Sequence, residues 1–188
     1  MISASDVRKG TKILYRDEPY MVVDFQHVKP GKGGAYIRTK MKNLITGLTH
    51  EETFRSDHKF DNPQLSNKEM QYLYADNGFY HFMDQEDFEE VILNKEQIED
   101  ILDYLKEQII YTVLYFSEKP IGVTPPLFME LEVKETQPGV RGDTAQGGAT
   151  KPATLETGLV VQVPLFVDQE EIIKVDTRTG QYIERVKK

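Results

Sequence analysis

Short runs of alternating apolar and polar residues, separated by turn-forming residues, constrain the fold of this 188-residue chain most strongly. Alternate residues of a strand lie on opposite faces, so a period of two predicts strands with one buried face. In residues 35–44, Ile37, Thr39 and Met41 share one face, while the other carries Tyr36, Arg38, Lys40 and Lys42. Similar runs occupy residues 12–16, 20–25, 48–54, 68–75, 79–84, 109–116, 128–135, 158–163, 172–175 and 182–186. The pattern predicts a mostly β protein that begins with a small barrel.

Local signals divide this β pattern. Asn77-Gly78 lies between two strand-like runs and predicts a tight hairpin. Residues 94–108 have apolar residues at helical spacing and predict a helix, with Asn94 as its N-cap. Residues 137–151 predict a long loop rich in glycine, threonine and alanine. Prolines near residues 63 and 125 predict boundaries that give three domains, at residues 1–64, 65–126 and 127–188.

Charge is distributed unevenly between these three segments. The net charge of −8 combines +3 in residues 1–64, −9 in residues 65–127 and −2 in residues 128–188. No acidic residue lies between Asp24 and Glu51, whereas five cations do: Lys29, Lys32, Arg38, Lys40 and Lys42. The amino-terminal segment therefore favours a polyanionic partner, although the acidic middle segment is equally consistent with a simple contribution to solubility.

Composition excludes several classes of protein. The chain has no cysteine, so it forms no disulfide and no cysteine-ligated metal site. Charges near the amino end come too early for a signal peptide, and the apolar run at residues 109–116 is too short to span a bilayer as a helix. We therefore expect a cytoplasmic protein with no membrane partner.

The most distinctive motif is a glycine-rich tip between two predicted strands. It reads Pro30-Gly31-Lys32-Gly33-Gly34 and follows Lys29. Glycines permit a tight turn and close backbone approach, so the long side chain of Lys32 could enter a site too narrow for a globular surface. The spacing is not that of a phosphate-binding P-loop, because the required glycine spacing and the following helix are missing.

The predicted strand after the tip carries a row of cations. Arg38, Lys40 and Lys42 share a face with Tyr36, and such a row neutralises RNA phosphates while the tyrosine stacks on a base. The alternative is a solvated strand face that protects a sheet edge. Together with the tip, the row favours a nucleic-acid partner. A general single-stranded nucleic-acid binder is therefore an alternative function for this chain.

The sequence contains no convincing arrangement of catalytic residues. The four histidines lack metal-ligand spacing, and the contiguous Ser56-Asp57-His58 does not constitute a triad, which is defined by geometry. We therefore expect neither catalysis nor a cofactor or metal.

Two further segments are candidate sites. Backbone amides around Gly142, Asp143 and Thr144 could contact phosphates or bases, while a flexible linker is equally consistent with this composition. Tyr182 and Arg185 are three residues apart, so a regular strand would place them on opposite faces.

These motifs together resemble the elongation factor P family. The tip from Lys29 to Arg38 resembles the family's modification loop. Independently, residues 138–144, 151–158, 161–167 and 173–177 resemble its carboxy-terminal motif, and the resemblance covers essentially the whole chain. One departure is Glu170, where the family pattern usually has glycine.

The resemblance implies a KOW/SH3-like barrel followed by two OB-fold barrels, arranged as an L that imitates tRNA. It implies a monomeric, non-enzymatic factor that binds the ribosome between the peptidyl and exit sites and relieves stalling at consecutive prolines. Lys32 would contact the P-site tRNA and bear a covalent extension added by a modifying enzyme. Gly142, Asp143 and Thr144 would lie near the exit-site codon of the mRNA or the anticodon side. Tyr182 and Arg185 match the family's Tyr-x-x-Arg ending and would contact ribosomal RNA or protein.

Overall fold

Strands form most of the chain in the computed structural model, which describes residues 1–29, 31, 33–138 and 149–186. The amino-terminal strands are β1 (Ile2–Ser3), β2 (Lys12–Tyr15), β3 (Glu18–Val28), β4 (Tyr36–Asn43), β5 (Thr49–Arg55) and β6 (Lys59–Phe60). Those that follow are β7 (Leu65–Asp76), β8 (Phe79–Asp84), β9 (Glu90–Asn94), β10 (Ile110–Phe116) and β11 (Lys119–Thr124). The last are β12 (Phe128–Thr136), β13 (Thr150–Leu155), β14 (Val160–Pro164), β15 (Ile172–Asp176) and β16 (Gln181–Arg185).

In the described part of the chain, the strands form four sheets. β2, β3, β4 and β5 pair in sequence order, and β1 pairs with β6. The second large sheet has the order β11-β10-β7-β8-β9, and the third has the order β14-β13-β12-β15-β16. The predicted mostly β fold is confirmed.

The alternation in β4 is also confirmed. Its odd-numbered residues, from Ile37 to Asn43, are buried, and its even-numbered residues from Arg38 to Lys42 are exposed. Ile37 and Met41 pack in a core with Ile13, Val22 and Phe60. Burial of this face determines which side chains of β4 point to solvent.

The predicted helix at residues 94–108 is confirmed only in part. An α-helix, α1, covers only Lys95–Ile98, and a 3₁₀ helix continues over Glu99–Tyr104. Its predicted start is correct, because Asn94 and Gln97 form a reciprocal capping box. Ile98 then leaves helical geometry (φ −126°, ψ 9°). Ile98, the last residue of α1, and Ile101, three residues later in the 3₁₀ segment, are both buried, at 1% and 4% exposure.

The third large sheet contains a strand that the sequence pattern does not predict: β13 overlaps the predicted 137–151 loop only at Thr150 and Lys151. β13 lies between β12 and β14 even though it carries Pro152. Its Lys151, Ala153 and Leu155 are buried, and Val133, Val161 and Ile173 pack in the same core.

The described chain divides into two compact units. One comprises Met1–Asn67 with Leu114–Gly122, and the other comprises Lys68–Val113 with Val123–Lys188. The three-domain division at residues 64 and 126 remains a prediction. Among the described residues, no helix has both the length and the apolar character needed to cross a membrane.

Candidate nucleic-acid interface

The glycine-rich tip closes the hairpin formed by β3 and β4. Antiparallel pairing continues to Val28 opposite Tyr36, so the connection comprises residues 29–35. Lys29, Gly31, Gly33 and Gly34 are exposed. Gly33 has φ +110°, a backbone conformation that L side chains rarely adopt, and this explains glycine there. Pro30 and the predicted central residue Lys32 lie outside the described residues.

The predicted row of cations is present on the outer face of β4. Arg38, Lys40 and Lys42 are exposed, and Tyr36 is half-buried at the tip-proximal end of the strand. The residues between them face the core, so the cations are presented by a packed strand rather than by a loop. Alternate residues along it are about 6.6 Å apart, close to the spacing of phosphates along a nucleic-acid strand.

Two carboxylates lie beside the middle of this row. The register places Lys40 between Asp24 on β3 and Glu51 on β5. The same register places Arg38 between the uncharged Gln26 and Thr53. A shallow groove of about 180 Å³ is lined by Asp24, Phe25, Gln26, Arg38, Lys40 and Glu51. The stretch without acids in the sequence therefore has acids next to it in the sheet at Lys40, whereas Arg38 and Lys42 have uncharged partners, which for Lys42 are Met21 and Thr49.

Arg55 is a cation that sequence reasoning missed. β5 ends beside the tip, with Arg55 directly opposite Tyr36. Its side chain is 85% exposed, and its Nε lies 3.4 Å from Asp57 Oδ1. The strand pattern at residues 48–54 indicated β5, but only the register with β4 shows that Arg55 joins Arg38 near the tip.

The predicted loop contacts Gly142, Asp143 and Thr144 lie outside the described residues. The two strands from which this loop leaves are linked by Lys151, which is only 5% exposed. Its Nζ donates to the carbonyl oxygen of Gln137 at 2.7 Å. A buried ammonium with a backbone partner thus ties the start of β13 to the end of β12.

Tyr182 and Arg185 lie on the same face of β16, because the strand is not regular. Tyr182 is opposite Val175 and Arg185 is opposite Ile173, with an irregularity of register between the two pairs. Ile173 and Val175 share the buried face of β15, so the extra residue in β16 brings both side chains to that side. The expectation of opposite faces, which assumed a regular strand, is therefore wrong.

The side chain of Arg185 is held in place by two neighbours. Its Nη1 donates to Glu171 Oε1 at 2.8 Å, and its guanidinium lies 5.4 Å from the centre of the Phe166 ring. Phe166 is 58% exposed, and Tyr182 packs against the core. Together they form a small cationic and aromatic surface at the carboxy-terminal end.

The described residues include no cluster of three or more His, Asp or Glu side chains that could hold a metal ion. The described part of the interface presents exposed cations, aromatic rings and backbone groups.

Family models match nearly all of the chain. The KOW-like domain of elongation factor P matches residues 3–60, its OB domain matches residues 65–123, and its C-terminal domain matches residues 129–185. The matched KOW-like domain includes the hairpin and its tip, and the C-terminal domain includes Tyr182 and Arg185.

Relatives named Elongation factor P are similar over their full length. The protein of Caldanaerobacter subterraneus subsp. tengcongensis is 53% identical over 186 residues, which cover 99% of this chain and 100% of that protein. The protein of Clostridioides difficile is 52% identical with the same coverage. The protein of Thermodesulfovibrio yellowstonii is 49% identical over 187 residues and 100% of both chains.

Solved structures with a similar fold are more distant in sequence. Eukaryotic translation initiation factor 5A from Methanococcus jannaschii has a TM-score of 0.55 at 20% identity and covers 66% of this chain and 93% of its own. A translation initiation factor eIF-5A family protein from Naegleria fowleri has a TM-score of 0.50 at 19% identity, covering 65% and 96%. These two share the fold, while the family models and the full-length relatives show that the chain belongs to the elongation factor P family.

Proposed function

We propose that this chain binds the ribosome beside the P-site peptidyl-tRNA and stimulates peptide-bond formation at consecutive prolines. Membership of the elongation factor P family supports a translation factor that works with the ribosome. The observation that carries the finer proposal is the β3–β4 hairpin, which presents a narrow glycine-rich tip next to Arg38 and Arg55.

The proposed contribution of the tip is positioning. Proline has a fixed φ and a ring in place of the backbone N–H, so it reaches a reactive geometry poorly. Holding the tRNA end and the nascent chain close to an attack geometry lowers the barrier without an acid or base from the factor. Lys32 would contact the P-site tRNA, and a modifying enzyme would extend its side chain.

The charge pattern supports phosphate binding beside Arg38. Arg38 has uncharged neighbours on both sides, and the exposed guanidinium of Arg55, which is also paired with Asp57, lies beside Tyr36. Lys40 lies between two carboxylates and contributes less net positive charge. A phosphate beside Arg38 would therefore be bound more strongly than a phosphate beside Lys40.

The carboxy-terminal segment would provide the second contact with the ribosome. Gly142, Asp143 and Thr144 would lie near the exit-site codon of the mRNA or the anticodon side. Tyr182 and Arg185 would contact ribosomal RNA or protein, supported by their shared face and by the exposed guanidinium. We further propose a cytoplasmic monomer with three domains, in which no residue is catalytic.

A reconstituted translation reaction tests this proposal. The message encodes consecutive prolines, and the reaction contains the wild-type chain, Lys32→Ala, Lys29→Ala or no factor. We expect the wild-type chain and Lys29→Ala to restore synthesis across the prolines, and Lys32→Ala to give the rate without factor. Equal activity of Lys32→Ala and the wild type would contradict the role of the tip.

Modification of Lys32 is tested in a separate experiment. Protein purified from its native cells is compared with recombinant protein, and the mass of the tip peptide is measured for both. Activity of the native protein alone, with added mass on Lys32, supports the modification. Inactivity of both proteins, with binding to ribosomes unchanged, would overturn the polyproline function.

Stability provides the control for Lys32→Ala. Its neighbours Gly31 and Gly33 are exposed, so we expect the substitution to change the free energy of unfolding by less than about 0.5 kcal/mol. Urea denaturation measures this value. A loss of several kcal/mol would mean that Lys32 supports the fold.

A further inference from the structure

We propose that the outer face of β7, β8 and β9 docks a basic protein surface. This aromatic face consists of Tyr74, Phe79, His81 and Ile92. The inference rests on the proposed function, because the partner is expected on the ribosome.

The register brings the aromatic face together from three strands. His81 on β8 is opposite Tyr74 on β7 and Ile92 on β9. Phe79 is two residues before His81 and therefore lies on the same face. Tyr74, Phe79 and Ile92 are 45%, 52% and 55% exposed. The other face of these strands is the packed one, where Tyr72, Phe82 and Leu93 are buried.

Two of the rings on this face are fixed before any partner binds. The His81 ring stacks on the Tyr74 ring with centres 4.3 Å apart and planes 15° apart. Nδ1 of His81 also forms a hydrogen bond with a carboxylate oxygen of Glu90. Side chains held in one conformation lose little entropy on association, which favours aromatic anchors of this kind.

The negative charge around the aromatic face distinguishes three possible partners: RNA, a second copy of this chain and a basic protein. Asp76 is opposite Phe79, and Glu90 is bound to His81, so both carboxylates border the face. β8 and β9 contain no lysine or arginine, and Lys68 of β7 is bound to Asp84 at 2.6 Å. RNA would bring its phosphates next to these carboxylates, and a second copy would bring the same acids. A basic protein surface that also carries apolar side chains complements both the carboxylates at the border and the exposed aromatic and apolar side chains of the face.

Photo-crosslinking identifies the occupant directly. Benzoylphenylalanine replaces Phe79 in the full chain, which is bound to purified ribosomes from the same cells and irradiated. We expect a crosslink to a ribosomal protein of basic composition, one that survives ribonuclease and is removed by protease. A crosslink mainly to RNA, to a second copy or to nothing, while the chain still sediments with ribosomes, overturns the docking inference.

A matched pair of variants measures the contribution of the face. Tyr74→Ser with Ile92→Ser is compared with Leu48→Ser and Val160→Ser, which removes two exposed apolar side chains elsewhere. We expect the first pair to weaken ribosome binding at least tenfold, while both pairs keep the wild-type circular dichroism spectrum. Equal affinity of the two pairs overturns the inference. A wild-type chain that does not sediment with ribosomes overturns the proposed function, and the docking inference with it.

Discussion

Glu170 shows how one residue can depart from a family pattern without loss of the turn. The resemblance to the family suggested glycine at this position. Glu170 has φ +67°, the left-handed conformation that glycine adopts most easily. Its N–H donates to the carbonyl oxygen of Val133 at 2.9 Å, and its side chain is exposed. The backbone thus keeps a glycine-type turn, at a conformational cost of roughly 1 kcal/mol.

We expect Glu170→Gly to stabilise the chain. The gain should be about 0.5–1 kcal/mol, since the relieved strain exceeds the extra entropy of glycine in the unfolded chain. Urea denaturation measures it. Gln162→Gly is the control, because Gln162 is exposed on β14 without a positive φ, and we expect that change to destabilise. A loss of stability in Glu170→Gly would mean that its side chain contributes more than its backbone costs.

At the scale of the strand, register changes the meaning of the cationic row on β4. In the sequence, Arg38, Lys40 and Lys42 are equivalent alternate residues. In the sheet, Lys40 has a carboxylate on either side and Arg38 has none. The net positive charge that an RNA phosphate meets is therefore larger at Arg38.

This difference predicts unequal substitutions. Arg38→Gln should weaken binding to ribosomes more than Lys40→Gln, and it should lower the slope of log K against log salt by about 0.7–0.9, the contribution of one phosphate. Asp24→Asn with Glu51→Gln should strengthen binding. Salt-dependent sedimentation with ribosomes measures all three. Identical effects of Arg38→Gln and Lys40→Gln would show that the flanking carboxylates do not matter.

At the scale of the whole molecule, titrating groups set the pH range of stability. The hydrogen bond from the Lys68 ammonium holds the pKa of Asp84 below its ordinary value, and the Arg178 guanidinium does the same for the pKa of Asp176. Burial raises the pKa of Tyr111 to about 12. The hydroxyl of Tyr111 donates to the carbonyl oxygen of Tyr104 at 2.7 Å, so the neutral phenol is the form that fits.

We therefore expect a plateau of stability bounded on both sides. The two carboxyls bind protons less readily in the folded chain, so their contribution is present above about pH 3.9 and is lost as the pH falls through their lowered folded pKa. Tyr111 ionises more readily in the unfolded chain, so stability falls as the pH rises above about 10. Urea denaturation across pH 2–12 measures the profile. Asp84→Asn should flatten its acid side and Tyr111→Phe its alkaline side, and unchanged slopes would contradict these assignments.

Several elements can be predicted from the sequence alone, because the information that specifies them is local. Period-two alternation placed β4 and its two faces, Asn77-Gly78 placed a hairpin with positive φ at both turn residues, and Asn94 placed a helix start. Each depends on neighbours within a few residues, through side-chain direction, turn geometry or capping.

Other features depend on pairing between distant segments, and the local sequence pattern does not predict them. The α-helix gives way to a 3₁₀ helix after Ile98, which is buried together with Ile101, and β13 pairs with β12 and β14 although it contains Pro152. Strand register brought Arg55 to the tip, placed acids beside Lys40 and assembled the aromatic face. The register of a sheet is selected because it buries one complete apolar face across several strands. The free energy of this burial depends on residues that are far apart in the chain.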